Sequence, residues 1–276
     1  MKKLIIFLIS LGVFLAITGC AQDQYSIEKE YWRIKKQAEN IFRNPKAAPA
    51  NELDRAISSL QKFSQKNSKN ILAVEADFTI AKLYIAKEEF GKSRKQFNAI
   101  IAKYKESEVI CSEAVFLSGN SYQLEGKWNL ALEQYKKVIA NYPLTIRGLE
   151  TPIYVAQYYK INRQPDKMLA AFGEAIAHYR GLAAKYPDSP LAFKAYTLIF
   201  SCYNASQDWQ NSVNTLNVIL GKFKGKAKMD SLLLDMALIY KKELKDEVKA
   251  KEAVERLIKE YPDSKFVNSA KALLKK

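Results

Sequence analysis

Few residues in this chain could catalyse a reaction or bind a metal. His178 is the only histidine, and no Cys/His/Asp constellation surrounds it in the sequence, whereas catalysis needs several groups held together. The sequence has no CxxC or HExxH metal-ligand spacing and no glycine-rich phosphate loop. The acidic pair Glu88-Glu89 falls in a helix–turn context that favours solvated charge. We therefore predict a protein that is not an enzyme and that needs no cofactor or metal; an enzymatic role would depend on His178 alone.

Cys20 follows a segment with the order of a secretion signal. Lys2 and Lys3 precede an apolar run over residues 4–17, and small residues follow it. The run is short for a membrane-spanning helix, which needs roughly 20 apolar residues. We expect residues 1–19 to be a signal peptide; the alternatives are an uncleaved anchor or an ordinary signal with an incidental cysteine.

The segment Ile17-Thr18-Gly19-Cys20 resembles a bacterial lipobox. This resemblance implies that Cys20 is lipidated and becomes the first residue of the mature chain, with residues 20–26 as a short linker. Buried acyl chains contribute ~0.8 kcal/mol per CH₂ and would hold the protein on a membrane. By the same resemblance, Ala21 after the cysteine indicates the periplasmic face of the outer membrane in the bacterial cell envelope.

The chain is strongly basic, with 44 Lys and Arg against 29 Asp and Glu and a net charge of +15. Such a charge favours anionic partners, and export from the cell argues against nucleic acid. An anionic envelope polymer, either a glycan or lipopolysaccharide, is therefore a possible partner. The alternative is that the lysines form solvated helix faces, which their helical spacing favours.

A block of aromatic and small residues repeats along the chain. It returns first with a shift of 38 residues and then with a shift of 81. Such a period indicates stacked supersecondary units instead of one globular core. The three copies are Ala76–Tyr84–Phe90–Phe97–Ile101–Tyr104, Ala114–Tyr122–Trp128–Tyr135–Ile139–Tyr142 and Ala195–Tyr203–Trp209–Leu216–Leu220–Phe223.

The second copy predicts two helices joined by a turn at Gly126 and ended by Pro143, which lacks the N–H that a helix needs. Apolar and small side chains recur at spacings of three and four in each half, as on one face of a helix. We expect Gly119 and Ala131 to lie where the two helices cross closely. The helical faces comprise Val115, Ser118, Gly119 and Tyr122, and then Trp128, Ala131, Tyr135 and Val138.

This unit resembles a tetratricopeptide repeat, because Gly119, Tyr122, Ala131 and Tyr135 occupy its motif positions. The resemblance implies an all-α protein, a right-handed α-α superhelix of about five to six helical hairpins with a C-terminal capping helix. The repeat domain would span 27–276. Its units would lie near 27–70, 71–108, 109–146, 147–190, 191–228 and 229–265, with the cap at 266–276.

Two irregular regions accompany the repeats. The third regular unit carries about seven extra residues near His178, which predict a helix extended by two turns. Before the regular units, the side chains of Leu53, Ala56, Leu60 and Phe63 predict a helix with one apolar face.

The joints between units provide a further signal. In Tyr186-Pro187-Asp188-Ser189 and Tyr261-Pro262-Asp263-Ser264, proline ends one helix and serine is expected to cap the next. This joint resembles those of envelope tetratricopeptide proteins, including the outer-membrane β-barrel assembly lipoprotein and Tol–Pal-associated proteins.

The two internal cysteines, Cys111 and Cys202, fall in different repeats among apolar neighbours. A disulfide requires Cα atoms within about 7 Å, and positions two units apart do not favour that distance. We predict buried free thiols.

In tetratricopeptide stacks the first helix of each pair lines a concave groove, and its inward positions flank the motif tyrosine. By this resemblance a polar strip would clamp an extended protein or peptide partner, with Phe78 and Phe116 either adding an apolar pocket or belonging to the core. The alternative is that the strip is an ordinary solvated surface. The predicted groove residues are Lys82, Asn120, Gln123, Gln157, Lys160, Ser201 and Asn204.

Two functions therefore remain open from the sequence. The first is a lipid-anchored periplasmic scaffold that mediates protein–protein interaction in envelope or outer-membrane assembly. The second is a basic surface protein that binds an anionic envelope polymer.

Overall fold

The computed structural model describes residues 24–40, 42, 49–225 and 228–274. Throughout these residues the regular elements are helical, and they include no strand. The all-α fold class is thus confirmed. The predicted signal peptide at 1–19, Cys20 and residues 21–23 of the predicted linker lie outside the described residues. The end of the predicted linker needs correction, because residues 24–26 already belong to the first helix.

The helices follow one another with short connections. We number them α1 (24–40), α2 (Ala50–Lys66), α3 (Ile71–Ala86), α4 (Phe90–Lys103), α5 (Glu108–Leu124), α6 (Trp128–Asn141), α7 (Ile146–Ile161), α8 (Pro165–Lys185), α9 (Pro190–Ala205), α10 (Trp209–Lys222), α11 (Asp230–Leu238), α12 (Glu247–Glu260) and α13 (Val267–Leu273), with a π-helical segment at Ile239–Glu243.

The chain divides into two compact units between Gly148 and Leu149, inside α7. In the N-terminal unit, each helix from α2 to α5 packs against the helix that follows it. In the C-terminal unit the same holds from α8 to α12. Contacts between sequential neighbours are what stacked helical pairs require. The sequence had predicted a single repeat domain over 27–276.

The irregular N-terminal region is helical, as its apolar pattern predicted. Leu53, Ala56, Leu60 and Phe63 on α2 are all exposed by 3% or less. Together with Tyr31 of α1 they belong to one buried cluster that also includes residues of α3. The predicted apolar face of α2 is therefore its core face.

The turns between the two helices of each pair share one geometry. In the turn after α5, Gly126 has φ +79°, its N–H donates to the carbonyl of Gln123, and the N–H of Lys127 donates to that of Tyr122. This is the Schellman arrangement, which supplies partners for carbonyls at a helix C-terminus. Positive φ recurs four residues after the motif tyrosine at Glu88, Arg163 and Gln207, and five after it at Lys245.

A serine makes hydrogen bonds at each of the two predicted joints, but only Ser189 caps the helix that follows. Ser189 accepts a hydrogen bond from the N–H of Ala192 and caps α9, with Pro190 as its first residue, as predicted. At the other joint the expectation was wrong: the hydroxyl of Ser264 accepts from the N–H of Phe266, before α13 begins. Ser264 instead donates to Asp230 at 2.6 Å, so it ties this joint to the start of α11.

Helix α8 has 21 residues, whereas its counterparts α4, α6, α10 and α12 have 14. The predicted extension by two turns is confirmed. Within it, Tyr179 is fully buried and its hydroxyl donates to the carbonyl of Leu149 at 2.6 Å. Burial raises the pKa of Tyr179 well above its ordinary value. The inserted turns therefore lengthen the core of the C-terminal unit.

Candidate functional site

A cavity of about 480 Å³ opens in the N-terminal unit, on the side lined by the first helix of each pair. Helices α1, α3 and α5 contribute its walls. The lining mixes aromatic rings with charges of both signs, which suits a polypeptide segment better than a purely apolar ligand. Its residues are Tyr31, Lys35, Ala38, Glu39, Phe42, Glu75, Phe78, Thr79, Lys82 and Glu113.

Glu75 organises one wall of this cavity. The hydroxyl of Tyr31 donates to Oε2 of Glu75 at 2.8 Å, and Nζ of Lys35 lies 3.6 Å from the same oxygen. Burial, and then the hydrogen bond to the Glu75 carboxylate, raise the pKa of Tyr31 well above its ordinary value. Tyr31 therefore stays a neutral hydrogen-bond donor at physiological pH and keeps Glu75 fixed.

Glu113 is held in the same manner on α5. The guanidinium of Arg147 donates to it from Nε at 2.5 Å and from Nη2 at 3.1 Å. This guanidinium also stacks on the ring of Phe116, 4.4 Å from its centroid. Bidentate pairing fixes a carboxylate more firmly than a single contact does, so Glu113 presents a defined charge at the cavity.

The sequence left open whether Phe78 and Phe116 line a pocket or belong to the core, and the structure gives the two residues different roles. Phe78 is partly exposed and lines the cavity, while its ring packs on Phe97 with centroids 6.3 Å apart. Phe116 is only 4% exposed and packs on Tyr135 at 5.4 Å. Phe78 therefore belongs to the candidate site, and Phe116 belongs to the core.

Three predicted groove residues lie in the N-terminal unit. Lys82 is exposed and lines the cavity. Asn120 and Gln123 are partly exposed, and both accept a hydrogen bond from the hydroxyl of Tyr135, at 2.6 and 3.0 Å. Tyr135 thus positions the two amides side by side on α5. A pair of amides held in this way could bind the backbone of an extended peptide.

Four predicted groove residues lie in the C-terminal unit, and all are exposed. Nζ of Lys160 donates to the carbonyl of Ala205 at 2.7 Å. The hydroxyl of Ser201 donates to the carbonyl of Thr197 in its own helix at 2.9 Å. Gln157 and Asn204 complete the set. That these four residues form one polar strip with Asn120 and Gln123 stays a prediction.

The acidic residues of the cavity were not among the predicted site residues, although the sequence contains a signal for them. Glu75 and Glu113 each stand nine residues before the motif tyrosines Tyr84 and Tyr122. The same register at both positions is therefore a sequence signal for these two carboxylates, although it lies away from the positions that flank the tyrosine. The contribution of α1 had no such signal, because α1 lacks the repeat motif.

The internal cysteines are buried free thiols, as predicted. Burial raises the pKa of Cys202 to about 12 and also raises that of Cys111, so both stay protonated and weakly reactive. His178 is partly buried, and burial lowers its pKa. Among the described residues, no three His, Cys, Asp or Glu side chains come together as metal ligands would.

No helix within 24–40, 42, 49–225 or 228–274 combines the length and hydropathy needed to span a bilayer.

The described residues form sequential helical pairs, and a cavity opens on the side lined by the first helix of each pair. This arrangement defines the protein as one of the helical-repeat class. The tetratricopeptide repeat family matches residues 113–145 and 231–264, which cover the α5–α6 and α11–α12 pairs. The chain thus contains tetratricopeptide-type repeats. No curated protein sequence matches it.

Several solved structures are similar to parts of this chain. BtubC from P. vanneervenii is 15% identical with a TM-score of 0.44, over 87% of this chain and 92% of its own. PilW, a type IV pilus biogenesis factor, is 16% identical with a TM-score of 0.43, over 87% and 97%. YrrB, a tetratricopeptide protein with an unusual peptide-binding site, is 13% identical with a TM-score of 0.38, over 77% and 97%.

Proposed function

We propose that this protein is a non-enzymatic, lipid-anchored scaffold on the periplasmic face of the bacterial outer membrane. It holds an extended segment of a partner protein and takes part in envelope assembly. The observation that carries the proposal is the cavity of about 480 Å³ between α1, α3 and α5. It lies on the side of the first helices, which the resemblance to tetratricopeptide repeats predicts to be the peptide-binding face.

The chemistry of the cavity supports a peptide as the ligand. Glu75 and Glu113 are fixed by Tyr31 and Arg147, so they can pair with a basic side chain or a backbone N–H without a large loss of entropy. Phe78 offers an apolar surface beside them, and Lys82 adds a positive charge that can pair with an acidic side chain. A polypeptide segment that carries basic, apolar and acidic side chains can contact the two glutamates, Phe78 and Lys82 at once.

The lipid anchor is supported by the sequence. The apolar run over 4–17, the two preceding lysines and the order Ile17-Thr18-Gly19-Cys20 together favour export and acylation. The mass of the N-terminal peptide from the native organism tests this part. We expect cleavage before Cys20 and added acyl mass; an unmodified Cys20 would contradict it.

Partner recovery tests the cavity. The full chain is used as bait in detergent-solubilised envelopes, and Lys82→Glu is compared with Lys95→Glu. Both lysines are exposed on adjacent helices, and both substitutions change the charge equally. We expect Lys82→Glu to weaken recovery of a specific partner by about threefold to tenfold, because it reverses a charge at the binding surface.

The matched variant Lys95→Glu should leave recovery unchanged. Equal effects of the two substitutions would indicate a response to net charge and would reject the cavity as the binding site.

A further inference from the structure

One edge of the N-terminal unit is formed by the joints between its helical pairs. The joint after α4 lies beside α3, because the Tyr104 hydroxyl and Nζ of Lys103 reach the carboxylate of Asp77 at 3.0 and 2.8 Å. The joint after α6 lies beside α5, where Arg147 pairs with Glu113. We call residues 66–71, 103–109 and 142–147 the joint edge.

The chain enters the described structure at this same edge. The amide of Asn70, which caps α3, donates to the side-chain oxygen of Gln24 at 2.9 Å. Nζ of Lys66 donates to Glu30 at 3.0 Å, and Ile27 borders the loop over 66–70. The first turns of α1 therefore lie against the joint edge.

Exposed apolar side chains recur at one register along this edge. Ile71, Val109 and Ile146 each stand thirteen residues before a motif tyrosine, and they are 68%, 65% and 70% exposed. Tyr25 is also largely exposed, and Leu144 is nearly half exposed. Single exposed apolar residues are common on proteins, but a row in one register indicates a surface with a partner.

The opposite edge of the unit has a different character. Its turns carry an ion-paired set of charges: Nζ of Lys87 lies 3.1 Å from Glu89, and Nζ of Lys127 lies 2.6 Å from Glu125. Leu124 is the exposed apolar residue that precedes the second turn. The two edges of one unit therefore differ in how much apolar surface they offer.

Chain length limits how far the joint edge can lie from an anchor at Cys20. Gln24 stands four positions after Cys20, and an extended chain spans at most about 3.6 Å per position, which gives about 14 Å. We propose that the joint edge rests on the lipid surface, with Ile71, Val109 and Ile146 in the headgroup region. This inference rests on the lipid anchor of the proposed function.

The charges of the edge indicate which lipid it needs. Lys66 pairs with Glu30, and Lys105 lies 3.8 Å from Glu106. Lys103 and Arg147 pair with Asp77 and Glu113, and the exposed Lys69 is matched in number by the exposed Glu108. Because the positive charges of the edge are balanced by acidic residues, docking depends on apolar insertion and does not require anionic lipid. This separates the proposal from electrostatic binding of a basic protein to an anionic polymer.

Photo-crosslinking from single positions tests the proposal on the full chain. A photoreactive phenylalanine analogue replaces Ile71, Val109 or, as the control, Leu124, and the chain is reconstituted in phosphatidylcholine vesicles. All three sites are 63% to 68% exposed, so the substitutions should not disturb the core. We expect lipid adducts at 71 and 109 to exceed those at 124 by about fivefold or more.

Three results would overturn the proposal. Equal lipid adducts at all three sites would remove the preference for the joint edge. Adducts from 71 and 109 to a second copy of the chain would make this edge a protein interface. A chain that does not sediment with vesicles would disprove the anchor and the docking together, while partner recovery by the Lys82 comparison would still test the cavity independently.

Discussion

Gly119 faces the ring of Tyr135 with no room for a methyl group. A Cβ at this position would lie 2.6 Å from Cε1 of Tyr135. The ring cannot move away easily, because its hydroxyl is hydrogen-bonded to Asn120 and Gln123. The glycine of α5 is therefore coupled to the two amides of the candidate groove through one tyrosine.

We expect Gly119→Ala to destabilise the N-terminal unit. Overpacking costs about 1–3 kcal/mol, and the better helix propensity of alanine returns at most about 1 kcal/mol. The matched control is Gly91→Ala in α4, where an added Cβ meets nothing within 4 Å. The midpoint of urea unfolding should fall for the first variant and stay or rise for the second. A rise in the midpoint for both variants would show that the Tyr135 ring moves to accommodate the added methyl group.

At the scale of elements, the same Schellman turn is built with different residues. Gly126 adopts its positive φ without strain, whereas Glu88 adopts φ 60° at the equivalent turn and Gln207 adopts 62°. A side chain in the left-handed region costs about 1–2 kcal/mol. The turn is therefore imposed by the packing of the helical pairs and not by glycine alone.

This view predicts opposite effects of exchanging the residue types at two turns. Gly126→Ala should lower the free energy of unfolding by about 1 kcal/mol, and Glu88→Gly should raise it or leave it unchanged. Chemical denaturation of the two variants beside the unmodified chain measures this. Destabilisation by Glu88→Gly comparable to that of Gly126→Ala would mean that strain is not what distinguishes the turns.

Two elements were not predicted by the sequence pattern. Pro152 lies inside α7, which continues through it from Ile146 to Ile161, although proline in a sequence favours a helix end. The π-helical segment Ile239–Glu243 occurs where the spacing from the motif tyrosine to the second helix is seven residues, from Tyr240 to Glu247, instead of six. One additional residue is accommodated as a wider turn of helix.

At the scale of the whole molecule, the net charge of +15 attracts anionic ligands without any contact at the cavity. Binding that this charge causes must therefore be distinguished from binding at the cavity. Recognition of a peptide by fixed groups such as Glu113 depends on contacts at short range. Binding of an anionic polymer would depend on summed long-range attraction, which salt screens. The two functions therefore respond differently to ionic strength.

We expect partner affinity to change by no more than about threefold between roughly 0.05 M and 0.3 M salt, because short-range contacts are weakly screened. Titration of the purified chain with its recovered partner by calorimetry or fluorescence measures this, with an anionic glycan as the comparison ligand. A steep loss of partner affinity with salt, matching that of the glycan, would favour the polymer-binding function.

The sequence by itself determined the all-α class, the helical pairs, the two-turn extension of α8 and the buried thiols, because helical periodicity and the 38-residue shift are properties of local sequence. It placed Lys82 on the side of the first helices, and it left the lipidation of Cys20 and the six-residue polar strip as predictions. Tertiary structure decided that Phe78 lines a cavity while Phe116 is core, that Tyr135 holds the two amides, and that Ser264 bonds Asp230. These outcomes depend on side chains from separate helices meeting in space, and no spacing along one helix specifies that.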